Sequence, residues 1–281
     1  MRTIPFAEAG MDLPIGFLVA SSNGQPPVVH RTFELGPVTG RVRIAMSAEG
    51  VKDNQGRVTT ELLFGTMKRL GTLTALTRDL IRRFPFPDRE YVGWVHMLRR
   101  LQGKKLPFND ACRACQVPIE VEADPDQFLV NVLEDGDYEV HSVQLPGDDT
   151  ARPVQTFVFT SGFGTARMRL LTGEDEERHA GFHSRNPEEG QLRDRYACLV
   201  TYNDKVLTYD AFLDLDQEVL GWFTDCAESI ELGSNQRVRI TCPACGKEQV
   251  FGIDPLGLLQ RLAPTPVLPP YGTRSSTSPL P

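Results

Sequence analysis

Four of the six cysteines in this 281-residue chain fall into two close pairs, Cys112-Arg-Ala-Cys115 and Cys242-Pro-Ala-Cys245. Two thiolates separated by two residues sit at one end of a tight turn, with backbone amides aimed at the sulfurs. That supplies half of the tetrahedral sulfur shell zinc takes in structural sites, at about 2.3 Å per bond. Cys112, Cys115, Cys242 and Cys245 are therefore predicted to hold one zinc ion jointly. The competing chemistry is a thioredoxin-like redox pair, which opens a helix directly after a strand; here extended sequence follows each pair. Cys198 and Cys226 stand singly in apolar stretches and are expected in the core. His179-Ala-Gly-Phe-His183 has the i, i+4 spacing of a metal pair, but no glutamate follows the first histidine as in a zinc protease. Gly181 between them predicts a solvated loop. The acidic run 174–177 fits the first turn of a helix, where the macrodipole favours negative charge. No phosphate-binding glycine spacing, Ser-His-Asp set or carboxylate pair stands out, so no enzyme activity is expected.

The charge balance is 30 Lys and Arg against 37 Asp and Glu, a net of −7. Coating nucleic acid needs a cationic face to displace counterions, so that class is disfavoured. The longest uncharged apolar run near the start, Ile15-Gly-Phe-Leu-Val-Ala20, is far short of the ~20 residues that cross a bilayer. No basic segment precedes a long apolar one, so neither membrane insertion nor secretion is expected. In a reducing compartment the cysteines would stay free rather than form a disulfide framework.

The elements that must position the cysteines occur twice. Asp88-Arg-Glu-Tyr-Val-Gly93-Trp94 returns as Asp216-Gln-Glu-Val-Leu-Gly221-Trp222, which accounts for both tryptophans. Each Cys pair is followed, nine residues after its second cysteine, by Asp-Pro (Asp124-Pro125 and Asp254-Pro255). Upstream, Arg41-Val-Arg-Ile44 matches Arg167-Met-Arg-Leu170, and Phe84 matches Phe212. Each copy reads as a strand (Val42, Ile44, Met46; Met168, Leu170), a helix (60–70; 192–199), a tryptophan helix N-capped by Asp88 or Asp216, and a Cys-x-x-Cys hairpin. The tryptophans are expected as plain core residues. The hairpin is clearest as Arg237-Val-Arg-Ile-Thr241 and Glu248-Gln-Val-Phe251.

The predicted fold class is α+β: an internally duplicated unit whose halves join in a zinc-ribbon-like site. The expected boundaries are an N-terminal arm (1–27), a first unit (28–135), a second unit (136–262) and a Pro-rich disordered tail (263–281).

This constellation resembles a known family. Its marks are the helix start Thr172-Gly-Glu-Asp-Glu176, the Asp-x-x-x-x-Gly-Trp helix, and Cys-x-x-Cys with Asp-Pro beyond it. It looks like the baseplate proteins of contractile phage tails, the family of the T-even phage baseplate hub protein, also found in contractile injection systems. The resemblance covers roughly residues 28–260; the first knuckle departs from it by lacking the Pro and Gly of Cys242-Pro-Ala-Cys245-Gly246. It implies a non-enzymatic hub component or chaperone-like assembly factor that binds other tail proteins, such as hub or tape-measure subunits, with no small-molecule substrate. Its place would be the bacterial or host cytoplasm during assembly and the tail baseplate. The other class of function is a zinc-ribbon adaptor in a nucleic-acid or transcription complex, for which Arg113, Arg237, Arg239 and Lys247 would have to form a basic face.

Overall fold

The computed structural model describes residues 1–21, 25–101, 105–124, 128–145, 149–230, 232–234 and 237–252. The chain is a mixed α+β protein with several small antiparallel sheets. It opens with β1 (Arg2–Pro5), α1 (Phe6–Ala9), β2 (Asp12–Val19) and β3 (Val28–Leu35). Two helices follow, α2 (Gly40–Met46) and α3 (Gln55–Thr66), then β4 (Met67–Leu70), α4 (Arg78–Arg82) and the long α5 (Phe86–Leu101). The hairpin β5 (Leu106–Ala111) and β6 (Pro118–Ala123) carries the first cysteine pair, and β7 (Leu129–Val132) pairs with β1. The second half runs β8 (Glu139–Val143), β9 (Arg152–Ser161), β10 (Gly164–Arg169), α6 (Gly173–Arg185), α7 (Pro187–Cys198), β11 (Leu199–Tyr202), α8 (Tyr209–Leu213) and α9 (Gln217–Ser229). The short β12 (Gly233–Ser234) adds to β7, and the hairpin β13 (Arg237–Thr241) and β14 (Glu248–Gly252) carries the second pair.

One succession of elements recurs. In each half a strand hairpin, β2–β3 or β9–β10, is joined at its edge by a third strand, β4 or β11, that arrives only after a helix pair. A short helix, a long helix and a cysteine hairpin then follow. The caps correspond as well. Thr39 and Thr172 cap the first helices, with Thr172 in a capping box with Asp175. Asn54 and Asn186 accept from the Arg57 and Glu189 amides, and Thr77 and Thr208 from the Leu80 and Ala211 amides.

Several expectations are corrected. Residues 42–46, predicted as a strand, form α2: Thr39 accepts from the Val42 amide and caps a helix in which only Val42 is buried. Arg41–Ile44 is therefore helical where Arg167–Leu170 lies on a strand and beyond, and the upstream match between them fails. The helix expected over 60–70 spans Gln55–Thr66, and Met67–Leu70 is β4. Residues 1–27 are not an arm outside the first unit. Residues 13–17 of β2 are all buried, and Leu13 and Phe17 join the main core with Leu62, Phe84, Tyr91 and Trp94. Asp88 is no cap. It lies inside the first turn of α5, fully buried, and its carboxylate accepts the Ile15 and Gly16 amides at 2.8 and 3.0 Å. Asp216 does take the N-cap place of α9, without a side-chain cap bond.

Both tryptophans pack in cores. Trp94 is closed to solvent with its ring edge-on to Phe128 at 4.9 Å, and Trp222 is half-buried beside Phe163 and Phe223. A smaller second core gathers Met168, Phe212, Val219, Phe223, Cys198 and Cys226, so the two single cysteines are core residues.

The halves meet along a seam between α3 and α6. The Gly173 amide donates to Phe84 O and the Phe86 amide to Leu171 O. Arg89 of α5, 1% exposed, donates to Glu176 on α6, to the Ile81 and Gly56 carbonyls and to Thr60. Glu177 takes Arg82 and the Thr60 hydroxyl on its carboxylate, and its carbonyl accepts Asn54 Nδ2. The acidic run 174–177 does open α6, as expected from its sequence; it also supplies the polar half of this seam. No helix among the described residues is long and apolar enough to cross a membrane. The tail 263–281, and Pro125, Asp254 and Pro255 of the repeat landmarks, lie outside the described residues.

Candidate metal centre

Each cysteine pair sits in the six-residue end of its hairpin, between Ala111 and Pro118 in one and Thr241 and Glu248 in the other. The two ends are built alike. The Cys112 amide donates to Val117 O at 2.9 Å and the Gln116 amide to Cys112 O at 2.7 Å; the Cys242 amide donates to Lys247 O and the Gly246 amide to Cys242 O, both at 2.9 Å. The turn needs a left-handed residue after the second cysteine. Gly246 takes it at φ 71° without steric cost, and Gln116 takes it at φ 60°. The first knuckle therefore departs from the second in sequence and not in backbone course.

The hairpins face one another. Cys112 and Cys242, 0% and 1% exposed, pack with Ile119, Ile240 and Phe251 in a small core of their own, while Cys115 and Cys245 lie toward solvent. All four sulfurs lie within 4.8 Å of one another. The cross-hairpin separations Cys112 Sγ–Cys245 Sγ and Cys115 Sγ–Cys242 Sγ are both 3.7 Å. Four sulfurs at about 2.3 Å from a central ion stand about 3.8 Å apart, so the cage fits a tetrahedral metal. It does not fit disulfides, whose sulfurs are about 2.05 Å apart, and all six cysteines are free.

The electrostatics agree. Burial raises Cys112, but hydrogen bonds from the Cys115 and Ala114 backbone, the Cys115 side chain and Gln249 outweigh it and pull it down to about 6. A Val117 backbone bond draws Cys115 down, yet its contacts with Cys112, Cys245 and Cys242, together with burial, push it up to about 12. Four adjacent thiols cannot all ionise alone, and a dication among them removes that conflict. Cys198 and Cys226, by contrast, are pushed up to about 12 and 11 by burial. They are inert core thiols.

No family model, no curated protein and no solved structure matches this chain.

The cysteine cage is thus known from its own geometry. Among the described residues no second group of three or more metal-ligating side chains converges. His179 and His183 lie on α6, not on a loop: Gly181 is tolerated in the helix, and His179 is 5% exposed. Asp194 of α7 takes both rings, one on each carboxylate oxygen at 2.7 Å. That helix-to-helix bridge joins residues 15 and 11 apart, on separate helices whose relative placement no local pattern gives. Of the four basic residues considered for a nucleic-acid face, Arg113 stacks over Phe251 at 5.3 Å across the hairpins, and the side chains of Arg237 and Arg239 lie outside the described residues.

Proposed function

We propose that the chain is a non-enzymatic scaffold, an ancient tandem copy whose two hairpins are stapled by one structural zinc ion held by Cys112, Cys115, Cys242 and Cys245. The observation that carries this is the pair of 3.7 Å sulfur separations running between hairpins and not within them. Each hairpin is a two-stranded sheet, a form marginal in water by itself. The small core between them, with Ile119, Ile240 and Phe251, contributes about 1.5–3 kcal/mol per large side chain at most. Structural zinc adds on the order of 10 kcal/mol, which accounts for a fixed cage at this place. Four thiolates suit zinc, with iron the other metal that takes such a shell. The recurring element order and the matched caps at Thr39 and Thr172, Asn54 and Asn186, Thr77 and Thr208 support the duplication: their offsets of 133, 132 and 131 lie close to 130 at Cys112 and Cys242, with a local slip to 128 at Asp88 and Asp216 between them.

The scaffold's task, in this reading, is assembly of a contractile tail: a baseplate hub component or chaperone-like factor that binds other tail proteins in the bacterial cytoplasm. Its support is the sequence constellation of the α6 start, the Gly-Trp helix and the knuckles. The test is co-expression with hub and tape-measure proteins of a contractile tail from the same source, followed by size exclusion and elemental analysis. A stable complex containing about one zinc per chain is expected. A chain that carries zinc but joins none of these proteins overturns the tail assignment. A chain that purifies with iron, or with no metal, overturns the zinc staple.

A further inference from the structure

We infer that Gln249 is the positioning residue of the metal centre, a clamp that joins the two knuckles and polarises one of the four sulfurs. The inference rests on the zinc reading of the cage. Gln249 lies on β14, on the same face as Phe251, which is buried in the small core against Cys112. Its Oε1 accepts the Arg113 backbone N–H at 2.8 Å, and its Nε2 donates to Cys112 Sγ at 2.8 Å. The amide's orientation is fixed by chemistry, because a backbone N–H can only donate; the oxygen must face Arg113, which leaves the NH2 for the sulfur.

The matching knuckle cannot make this contact. The hairpin register sets Arg113 against Pro243 and Ile119 against Gln249. Pro243 has no N–H and Ile119 has no side-chain amide. The proline missing from the first knuckle thereby acquires a reason: a proline at 113 would delete the donor that orients Gln249. The cage is symmetric in its ligands and asymmetric in what supports them. A hydrogen bond to a thiolate is charge-assisted, withdraws density from the sulfur and holds the ligand in place before the ion arrives. Cys112 is accordingly anchored by a side chain of the opposite hairpin, which makes its sulfur less nucleophilic.

The experiment uses the full chain, loaded with zinc and separately with cobalt(II). Gln249→Ala and the shape-conserving Gln249→Met should bind zinc roughly 10-fold more weakly in competition with a chromogenic chelator. Their cobalt–thiolate charge-transfer band should move to lower energy, which a purely structural role would not cause. Arg113→Pro should weaken zinc binding in the same direction, and adding Gln249→Ala to it should cost nothing further, since both act through one amide. Arg113→Ala keeps the N–H and should bind as the parent does. Variants with parental affinity and an unshifted band overturn the clamp and leave the zinc reading standing. A parent chain that binds neither metal at the four cysteines overturns the zinc reading itself.

Discussion

Arg89 Nε of α5 donates to the Glu176 carboxylate of α6 at 2.7 Å, with the arginine side chain 1% and the glutamate 16% exposed. Burial acts against both charges, pulling Arg89 below and Glu176 above their ordinary values, and each is kept ionised by the other. Removing one partner strands the other. Arg89→Met should lower the unfolding free energy by about 3–5 kcal/mol in urea titrations. Combined with Glu176→Gln, the loss should be well below the sum of the two singles; simple additivity would show that the pair does not act as one.

Two helical glycines should respond with opposite signs. A Cβ on Gly56 of α3 would stand 2.8 Å from the Glu177 backbone nitrogen and 3.0 Å from the Glu176 carbonyl carbon, so the two helices would have to part. Gly56→Ala should destabilise by about 1–3 kcal/mol despite alanine's better helix propensity. Gly221 of α9 has open space around its Cβ position. Gly221→Ala should stabilise by about 0.5–1 kcal/mol. Thermal melts of both variants check the contrast, and equal signs would contradict the close approach of α3 and α6.

Metal removal should act locally. Chelation should release about one zinc per chain and expose the hairpins to proteolysis, while the far-ultraviolet helical signal persists, because the α3–α6 seam holds the halves without help from the cage. Cys115→Ser and Cys245→Ser should lose metal to the same degree, as ligands of one tetrahedron. A deficit confined to one of them in elemental analysis would break the shared site.

Asp88 sets a pH dependence. Burial raises its carboxyl to about 7, against the pull of the Ile15 and Gly16 amides and of Arg31. Between about pH 4 and 7 the native chain therefore keeps a proton that the unfolded chain has released. Stability contributed at this position falls as pH rises through that window, by up to about 4 kcal/mol. Asp88→Asn should remove that component, so the difference in unfolding free energy between parent and variant should vary with pH from 4 to 7. A constant difference would mean that Asp88 is ionised throughout.

The parts of the molecule legible in the sequence were those whose signal is local. The cysteine spacing announced the cage, the β-branched run before Cys242 announced β13, and the acid-rich start of α6 announced its first turn. Errors arose where a short pattern had two solutions. Val42, Ile44 and Met46 alternate as a strand would, yet Ile44 is 72% exposed and the alternation marks no buried face. The stretch from Leu13 to Phe17 is buried throughout, and Pro14 and Gly16 within it mask the strand in the sequence. Gln249 had no sequence signature, because its meaning depends on a backbone amide 136 residues away.

The placement of one cysteine pair in each half has a bearing on how the chain is made. When Cys115 leaves the ribosome, Cys242 and Cys245 have yet to be polymerised, and two sulfurs hold the ion poorly. Tight capture waits until the last hairpin has emerged and docked. In the zinc reading, metal uptake would thus report that synthesis has run through to the second knuckle, and a chain cut short before it would be left with an open, exchangeable thiol pair.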